Sequence, residues 1–392
     1  MRAYRRYGFF IALFSALGIG AALPSEAQQP IRIGAAMALT GRDAIQGSYF
    51  REGYLLCQRH VNEKGGVLGR PMELLIRDDG SDVKSAASLY ERLITEDKVD
   101  AVLGPYGSPY TDAVADVTEK HRKLMVAPGA ATTAIWEKGR RYLIMVLSPL
   151  ETSAEGPIDL ATRHGLKTIA LIGSLARPAI IQGALELARK RGLEVVVHET
   201  FPAGTTEFSA LLTKVKTAQP DVLVVGAPPA EAIPFTRQMR ELDVNVKMYA
   251  ATPGGAFPDY YKALGNTAQF AYSGSSWDPG LPYPGNHEFV AAYQQEFTRA
   301  PSFLSASSYA GCQLFVDAVK RANSFDSAKL REELLKVKAT TVFGDFGVDE
   351  RGFQIAHKDI TIQWQDGKAA VVWPDAAATS KPRFPTPPWS GR

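Results

Sequence analysis

Six histidines, two cysteines and the adjacent carboxylates Asp78-Asp79 are residues with which this 392-residue chain could do chemistry at short range. The histidines (His60, His121, His164, His198, His287 and His357) never stand closer than 34 residues. The arrangement that puts two of them on one helix face around zinc is therefore absent. His287-Glu288 begins like such a motif, but Ala291 stands where the second histidine belongs, and the pair reads as a solvated helix start. Asp78-Asp79 looks like paired carboxylates for acid–base work, yet neighbouring residues of a strand face opposite sides. It reads as the end of a strand leading into the turn Gly80-Ser81-Asp82. No phosphate-cradling loop, no G-x-G-x-x-G and no nucleophile elbow G-x-S-x-G occurs. No catalytic residue, nucleotide cofactor or metal is expected. Cys57 and Cys312 are 255 residues apart and form no zinc pattern. An oxidising compartment would permit one disulfide, but the favoured reading is two separate buried thiols packing as small hydrophobes.

The elements that would carry these residues alternate in type. Short strands are predicted at residues 31–37, 72–76, 101–104 and 124–127, separated by helical stretches through Tyr54 and Val61, from Ala86 to Ile94 and from Asp112 to Arg122. A second series follows, with strands at 168–173, 195–200, 221–226, 247–251 and 270–274. Ile181, Ala184, Leu185 and Ala188 recur at helical spacing, as do Phe208, Leu211, Leu212 and Val215, so each helix between these strands has one apolar stripe facing a sheet. Alternation of this kind implies an α/β fold with parallel sheets covered on both faces. Repeated, it implies two doubly wound lobes. Two helices then follow, at 287–298 and 306–322, and the chain closes on an antiparallel hairpin, 359–365 with 369–373, turning at Asp366-Gly367.

Composition fixes the class. Hydrophobic residues make up 45% and charged residues 22%, which describes a globular chain too long for one small core. The formal charge is +3, but Arg2, Arg5, Arg6 and Glu26 lie in the first 27 residues, leaving +1 for the rest. So neutral a body has no field to hold a phosphate backbone, and nucleic acid is excluded as a partner. The three arginines, the apolar run from Phe9 to Leu23 and the small residues Ser25 and Ala27 form a secretion signal cut after Ala27. The chain is thus expected in the periplasm as a soluble monomer.

Several stretches carry a resemblance. Val61-Asn62-Glu63-Lys64-Gly65-Gly66-Val67-Leu68-Gly69-Arg70-Pro71, followed by Asp78-Asp79, resembles the first helix–turn–strand of the type I periplasmic solute-binding proteins of ABC importers. The likeness is to their leucine/isoleucine/valine-binding branch. Leu103-Gly104-Pro105-Tyr106-Gly107-Ser108 and Val126-Ala127-Pro128-Gly129-Ala130-Ala131-Thr132 are similar to that family's two binding loops. Thr341-Val342-Phe343-Gly344-Asp345-Phe346-Gly347 is similar to its last crossover. The resemblance implies three hinge crossovers, near Ser148, Ser275 and Phe346. Residues 28–148 with 276–345 would form lobe I, and 149–275 with 346–373 lobe II. A Pro-rich tail, 374–392, is expected to be flexible.

The resemblance also implies a site. Ser108 matches a hydroxyl used on a ligand carboxylate, with an ordinary helix cap as the plainer reading. Helix N-termini after Ser108 and after Thr132 would add N–H donors. Ala130 and Ala131 would supply main-chain contacts, Thr132 a hydroxyl, and Gln46 and Tyr106 pocket walls, a plain core aromatic being equally open for Tyr106. Thr252 stands where the amino-acid binders place the glutamate that pairs with the ligand's ammonium. Arg177 reads either as a solvated loop arginine or as a bidentate grip on a carboxylate. The expected ligand is an amino acid or a related small carboxylate or amide, with an aromatic or short organic acid favoured by the missing glutamate. The expected partner is an ABC-importer permease, the alternatives being a sensory receptor partner or, more remotely, a periplasmic enzyme.

Overall fold

The computed structural model describes residues 1–3, 8 and 29–392, so the apolar run and the cut of the predicted secretion signal lie outside the described residues. β1 (Ile31–Met37), α1 (Ala44–Glu63), β2 (Met72–Asp78), α2 (Val83–Thr95), β3 (Ala101–Leu103), α3 (Ser108–Lys120), β4 (Met125–Ala127) and β5 (Leu143–Met145) build a five-stranded parallel sheet in the order β2-β1-β3-β4-β5. β5, three fully buried residues, was not predicted, since a run so short carries no period of its own.

The chain then crosses through residues 146–154. α4 (Glu155–Arg163), β6 (Thr168–Ser174), α5 (Pro178–Lys190), β7 (Glu194–Phe201), α6 (Ser209–Ala218), β8 (Val222–Ala227), α7 (Pro229–Glu241), β9 (Met248–Pro253), α8 (Pro258–Leu264) and β10 (Tyr272–Ser275) form the second unit. It returns to the first through α9 (Asn286–Phe297), α10 (Phe303–Ala322), α11 (Ser327–Lys336) and a small hairpin of β11 (Ala339–Thr341) and β12 (Gly344–Phe346). A third crossing, residues 347–359, leads back to β13 (Ile360–Gln365) and β14 (Lys368–Trp373). These extend the second sheet antiparallel, in the order β14-β13-β10-β9-β8-β6-β7. The turn joining them has Asp366 and Gly367 both at positive φ, as predicted for a two-residue hairpin.

Each sheet is buried on both faces. β8 reads VLVVGA with every residue buried, because helices cover it front and back. One apolar core joins the first sheet with α1, α9 and α10, and two more flank the second sheet. We refer to the first sheet and its helices as lobe I and to the second as lobe II.

Two expectations are corrected. Cys57 on α1 and Cys312 on α10 form a disulfide, with Cα atoms 6.3 Å apart. Their separation along the sequence conceals that the returning α10 lies directly against α1, so closely that a Cβ on Gly53 would fall 2.3 Å from the Ser305 carbonyl. Residues 374–392 pack along lobe II. The Arg383 N–H donates to Gln363 (2.8 Å), the Thr386 N–H to the Lys247 carbonyl (2.9 Å) and the Trp389 indole to the Val244 carbonyl (2.8 Å). Phe384 stacks on His164 with ring centres 4.0 Å apart. The proline content denies the segment a core of its own, but its aromatics and amides find partners on the back of lobe II.

Candidate ligand-binding cleft

The carboxyl ends of β1, β3 and β4 in lobe I face those of β6, β8 and β9 in lobe II, the crevice where open α/β sheets hold ligands. After β3 the chain must turn sharply into α3. Gly107 makes that turn at φ 97°, a conformation only glycine adopts without strain. Its N–H donates to the Gly129 carbonyl in the loop after β4 (2.8 Å), tying the two binding loops together. A Cβ on Gly129 would lie 2.5 Å from the Pro105 carbonyl, so that approach also requires glycine.

Ser108 opens α3. Its oxygen accepts N–H bonds from Ala131 (3.2 Å) and Thr132 (3.3 Å), which leaves its O–H to donate elsewhere. Ala130 and Ala131 are buried, and Thr132 precedes a six-residue 3₁₀ turn, Thr133–Lys138, not the α-helix expected there. Of the two helix N-termini expected from lobe I, that of α3 alone belongs to an α-helix.

Arg177 comes from the opposite lobe, on the loop between β6 and α5, and corrects the solvated-loop reading: only 7% of its surface is exposed. It reaches across the cleft to donate to the Tyr106 hydroxyl (3.2 Å) and, on its own side, to the Ala176 carbonyl (2.8 Å). Its nearest carboxylate oxygen is on Asp43, at 4.0 Å, an ion pair without a hydrogen bond. Asp43 is itself served by the Tyr110 hydroxyl (2.6 Å) and the Arg42 guanidinium (3.1 Å). Burial opposes its ionisation, but Arg177, Arg42 and Tyr110 together hold its pKa below the usual carboxylate value. Burial also opposes the charge on Arg177, and is outweighed by Tyr106 and Asp43, so the guanidinium stays protonated.

Ser108, Thr132 and Arg177 line one cavity of about 300 Å³ at the cleft mouth, with Ile135, Ala176 and Pro178 among its apolar walls. Tyr106 stands against Arg177. The other predicted residues do not line this cavity. Gln46 is buried on α1, and neither atom of its amide has a partner. Thr252 is fully buried in β9 and donates to the Ser153 carbonyl (3.3 Å). Its neighbour Pro253 lines, with Ala131 and Ser153, an inner void of about 40 Å³ against the crossovers, room for little more than a water.

Sequence reasoning missed Asp43, which sits at the N-cap of α1 yet makes no cap bond because its carboxylate faces Tyr110. An Asp directly ahead of α1 was the available signal, and by itself it suggests a helix cap. It also missed the far mouth of the cleft. There Tyr49 donates to Asp259 of lobe II (2.7 Å) and Phe257 packs on Phe303 (5.1 Å). At the base, the three crossovers meet on one carboxyl group: Asp359 accepts from Ser148 and from Ser276 (2.6 Å). Burial pushes its pKa up to about 6.

A family model described as "Periplasmic binding protein" matches residues 30–369. The chain belongs to that family. Leu/Ile/Val-binding protein homolog 7 of Brucella suis is 25% identical over 402 residues, covering 96% of this chain and 98% of that protein. The branched-chain amino acid transporter substrate-binding protein LivJ of Streptococcus pneumoniae, solved with isoleucine, superposes with a TM-score of 0.80 at 24% identity, over 87% of this chain and 98% of that one. A solute-binding protein of an ABC transporter from Rhodopseudomonas palustris, solved with 3,4-dihydroxybenzoic acid, gives 0.77 at 24% identity, over 87% and 95%. The likeness to both solved proteins is one of fold, and confirms the two-lobed periplasmic-binding-protein architecture that the resemblance implied. Among the described residues, no group of three or more His, Cys, Asp or Glu side chains could hold a metal ion.

Proposed function

We propose that this chain is the ligand-capturing component of an ABC importer of the branched-chain-amino-acid type. It works in the periplasm, closes its lobes on a small carboxylate and delivers it chemically unchanged to a membrane permease. One observation carries this reading: an O–H donor and a helix N-terminus from lobe I face a buried guanidinium from lobe II across a single cavity. Donors divided between two bodies gain their full effect only when an anion bridges them, so binding and closure are one event.

Membership of the periplasmic binding proteins, and relatives named for Leu/Ile/Val binding and for ABC transport, support the transport role. The disulfide suits an oxidising compartment. The cleft side chains include no nucleophile activated by a neighbouring base, which supports binding without turnover. Small-angle scattering with and without candidate acids tests the proposal. A carboxylate should compact the particle and raise its melting temperature, since it binds only the native state. A ligand recovered as a different molecule, or no response to any carboxylate, defeats it.

A further inference from the structure

Resting on the capture reading above, we infer that the site takes monocarboxylates that carry no ammonium group, with apolar bodies of branched-aliphatic or aromatic shape, and rejects the α-amino acids of the same skeleton.

The charges around the cavity decide this. Its charged lining residues are Asp112, Lys138 and Arg177. Asp112 is already committed: one oxygen accepts from Arg140 (2.6 Å) and Lys138 (2.9 Å), the other from Lys138 (2.7 Å). Arg140 in turn bonds Asp116. That cluster is internally balanced. Arg177 is not balanced in the same way, because Asp43 stands 4.0 Å from it and has Arg42 as its own cation. The cavity therefore has a surplus of positive charge, reinforced by the N-terminus of α3. A carboxylate neutralises that surplus, with Ser108 and Arg177 both able to donate to it.

An α-ammonium would lie within a few ångströms of the same carboxylate. It would meet Arg177 and the helix N-terminus, both of its own sign, while Lys138 is already neutralised by Asp112. Among the described residues, no carboxylate lining the cavity is free to receive it. Thr252, on the lobe II side of the cleft, is neutral and its hydroxyl is used on the Ser153 carbonyl. Of the remaining walls, Pro109, Ala134, Ile135, Ala176 and Pro178 offer no polar side chain, and Thr132 offers only a neutral hydroxyl, which brings no charge to balance the ammonium. A volume of about 300 Å³ suits an acid of leucine or phenylalanine size.

Calorimetry and thermal melting on matched pairs test the inference: 4-methylpentanoate against leucine, and 3-phenylpropanoate against phenylalanine. The acid lacking nitrogen should bind at least about 100-fold more tightly than its amino twin, a difference of about 2.7 kcal/mol. Arg177→Gln should remove most of that binding, Arg177→Lys should keep part of it, and Ser108→Ala should weaken it without altering the preference within a pair. Melting of each variant without ligand shows whether it is folded. Leucine or phenylalanine binding as tightly as its twin overturns the ammonium exclusion and leaves the capture reading standing. If neither member of either pair binds below about 1 mM, or if binding ignores both Arg177→Gln and Ser108→Ala, the capture site itself is wrong.

Discussion

Replacing Asp359 by asparagine should stabilise the protein at neutral pH and leave it unchanged near pH 4. Asp359 sits where all three crossovers meet, accepting hydroxyl bonds from Ser148 of the first and Ser276 of the second. Burial lifts its pKa from 3.8 to about 6, against the pull of those two hydroxyls. A tenfold change in proton affinity corresponds to about 1.4 kcal/mol, so the ionised group costs about 3 kcal/mol of folding free energy at most. Partial access to solvent brings the expectation to about 1–2 kcal/mol. A raised carboxyl pKa means that the native state keeps a proton which the unfolded chain releases between about pH 4 and pH 6. Wild-type stability therefore falls as pH rises through that window. Asparagine has no proton to lose and still presents an oxygen to both hydroxyls. The neighbouring His357, hydrogen-bonded to the Ser276 carbonyl and pushed down by burial to about 4, acts in the opposite sense. Because it is present in both proteins, as are Asp79 and Asp278, whose carboxyls burial also lifts to about 6, its contribution largely cancels in the difference. Guanidinium unfolding of both proteins at four pH values between about 4 and 7 measures the quantity. A difference that stays constant with pH, or an asparagine variant less stable at neutral pH, would refute the account of this carboxyl.

Three other perturbations test the scaffold. Reducing the Cys57–Cys312 disulfide opens a link spanning 255 residues and should cost about 3–5 kcal/mol, read as a lower melting temperature in dithiothreitol. Gly53→Ala would place a Cβ 2.0 Å from the Ser308 hydroxyl and 2.3 Å from the Ser305 carbonyl, forcing α1 and α10 apart. Denaturant unfolding should register about 1–3 kcal/mol, and an unchanged midpoint would mean that the helices have slack. Truncation after Pro374 removes the bonds to Gln363, Lys247 and Val244 and the Phe384–His164 stack. Calorimetry should show lobe II melting several degrees lower, at about 2–4 °C per kcal/mol lost, whereas a mobile tail would leave the curve unmoved.

How far the sequence could be read depends on the range of the forces involved. The longer strands and most helices were legible because amphipathic stripes such as Ile181-Ala184-Leu185-Ala188 are local, though α4, α8 and α11 were not predicted, and the Asp366-Gly367 turn was legible because two adjacent residues need positive φ. β5 and the β11–β12 hairpin were not, since three-residue strands acquire their identity from their neighbours in space. The disulfide was illegible for the same reason: nothing near Cys57 or Cys312 announces that α1 and α10 touch. At the tail, proline and serine content measures only what a segment can bury alone, and says nothing of the bonds by which this segment lies along lobe II with Thr386 buried and Phe384 and Trp389 half-buried.

The site divides along the same line. Ser108, Gly107 and the loop ending at Thr132 are set within lobe I by bonds between two adjacent loops, both of which the sequence motifs had marked. Arg177 is different in kind. Its role depends on how one lobe meets the other, because the same side chain swung into solvent would be the ordinary surface arginine that its loop suggests. Burial gives it its leverage: its nearest carboxylate, on Asp43, stands at 4.0 Å and is shared with Arg42, so on the proposed reading an incoming carboxylate would be its second anion. Selectivity in a two-lobed binder therefore resides less in the loop that holds the anion than in the charge the second lobe delivers to it. Asp43 tunes that charge from behind. With Asp43→Asn, Arg177 would have no anion at all without ligand, so lobe closure should become more dependent on the bound carboxylate. Scattering would detect this as a more extended free protein and an unchanged liganded one.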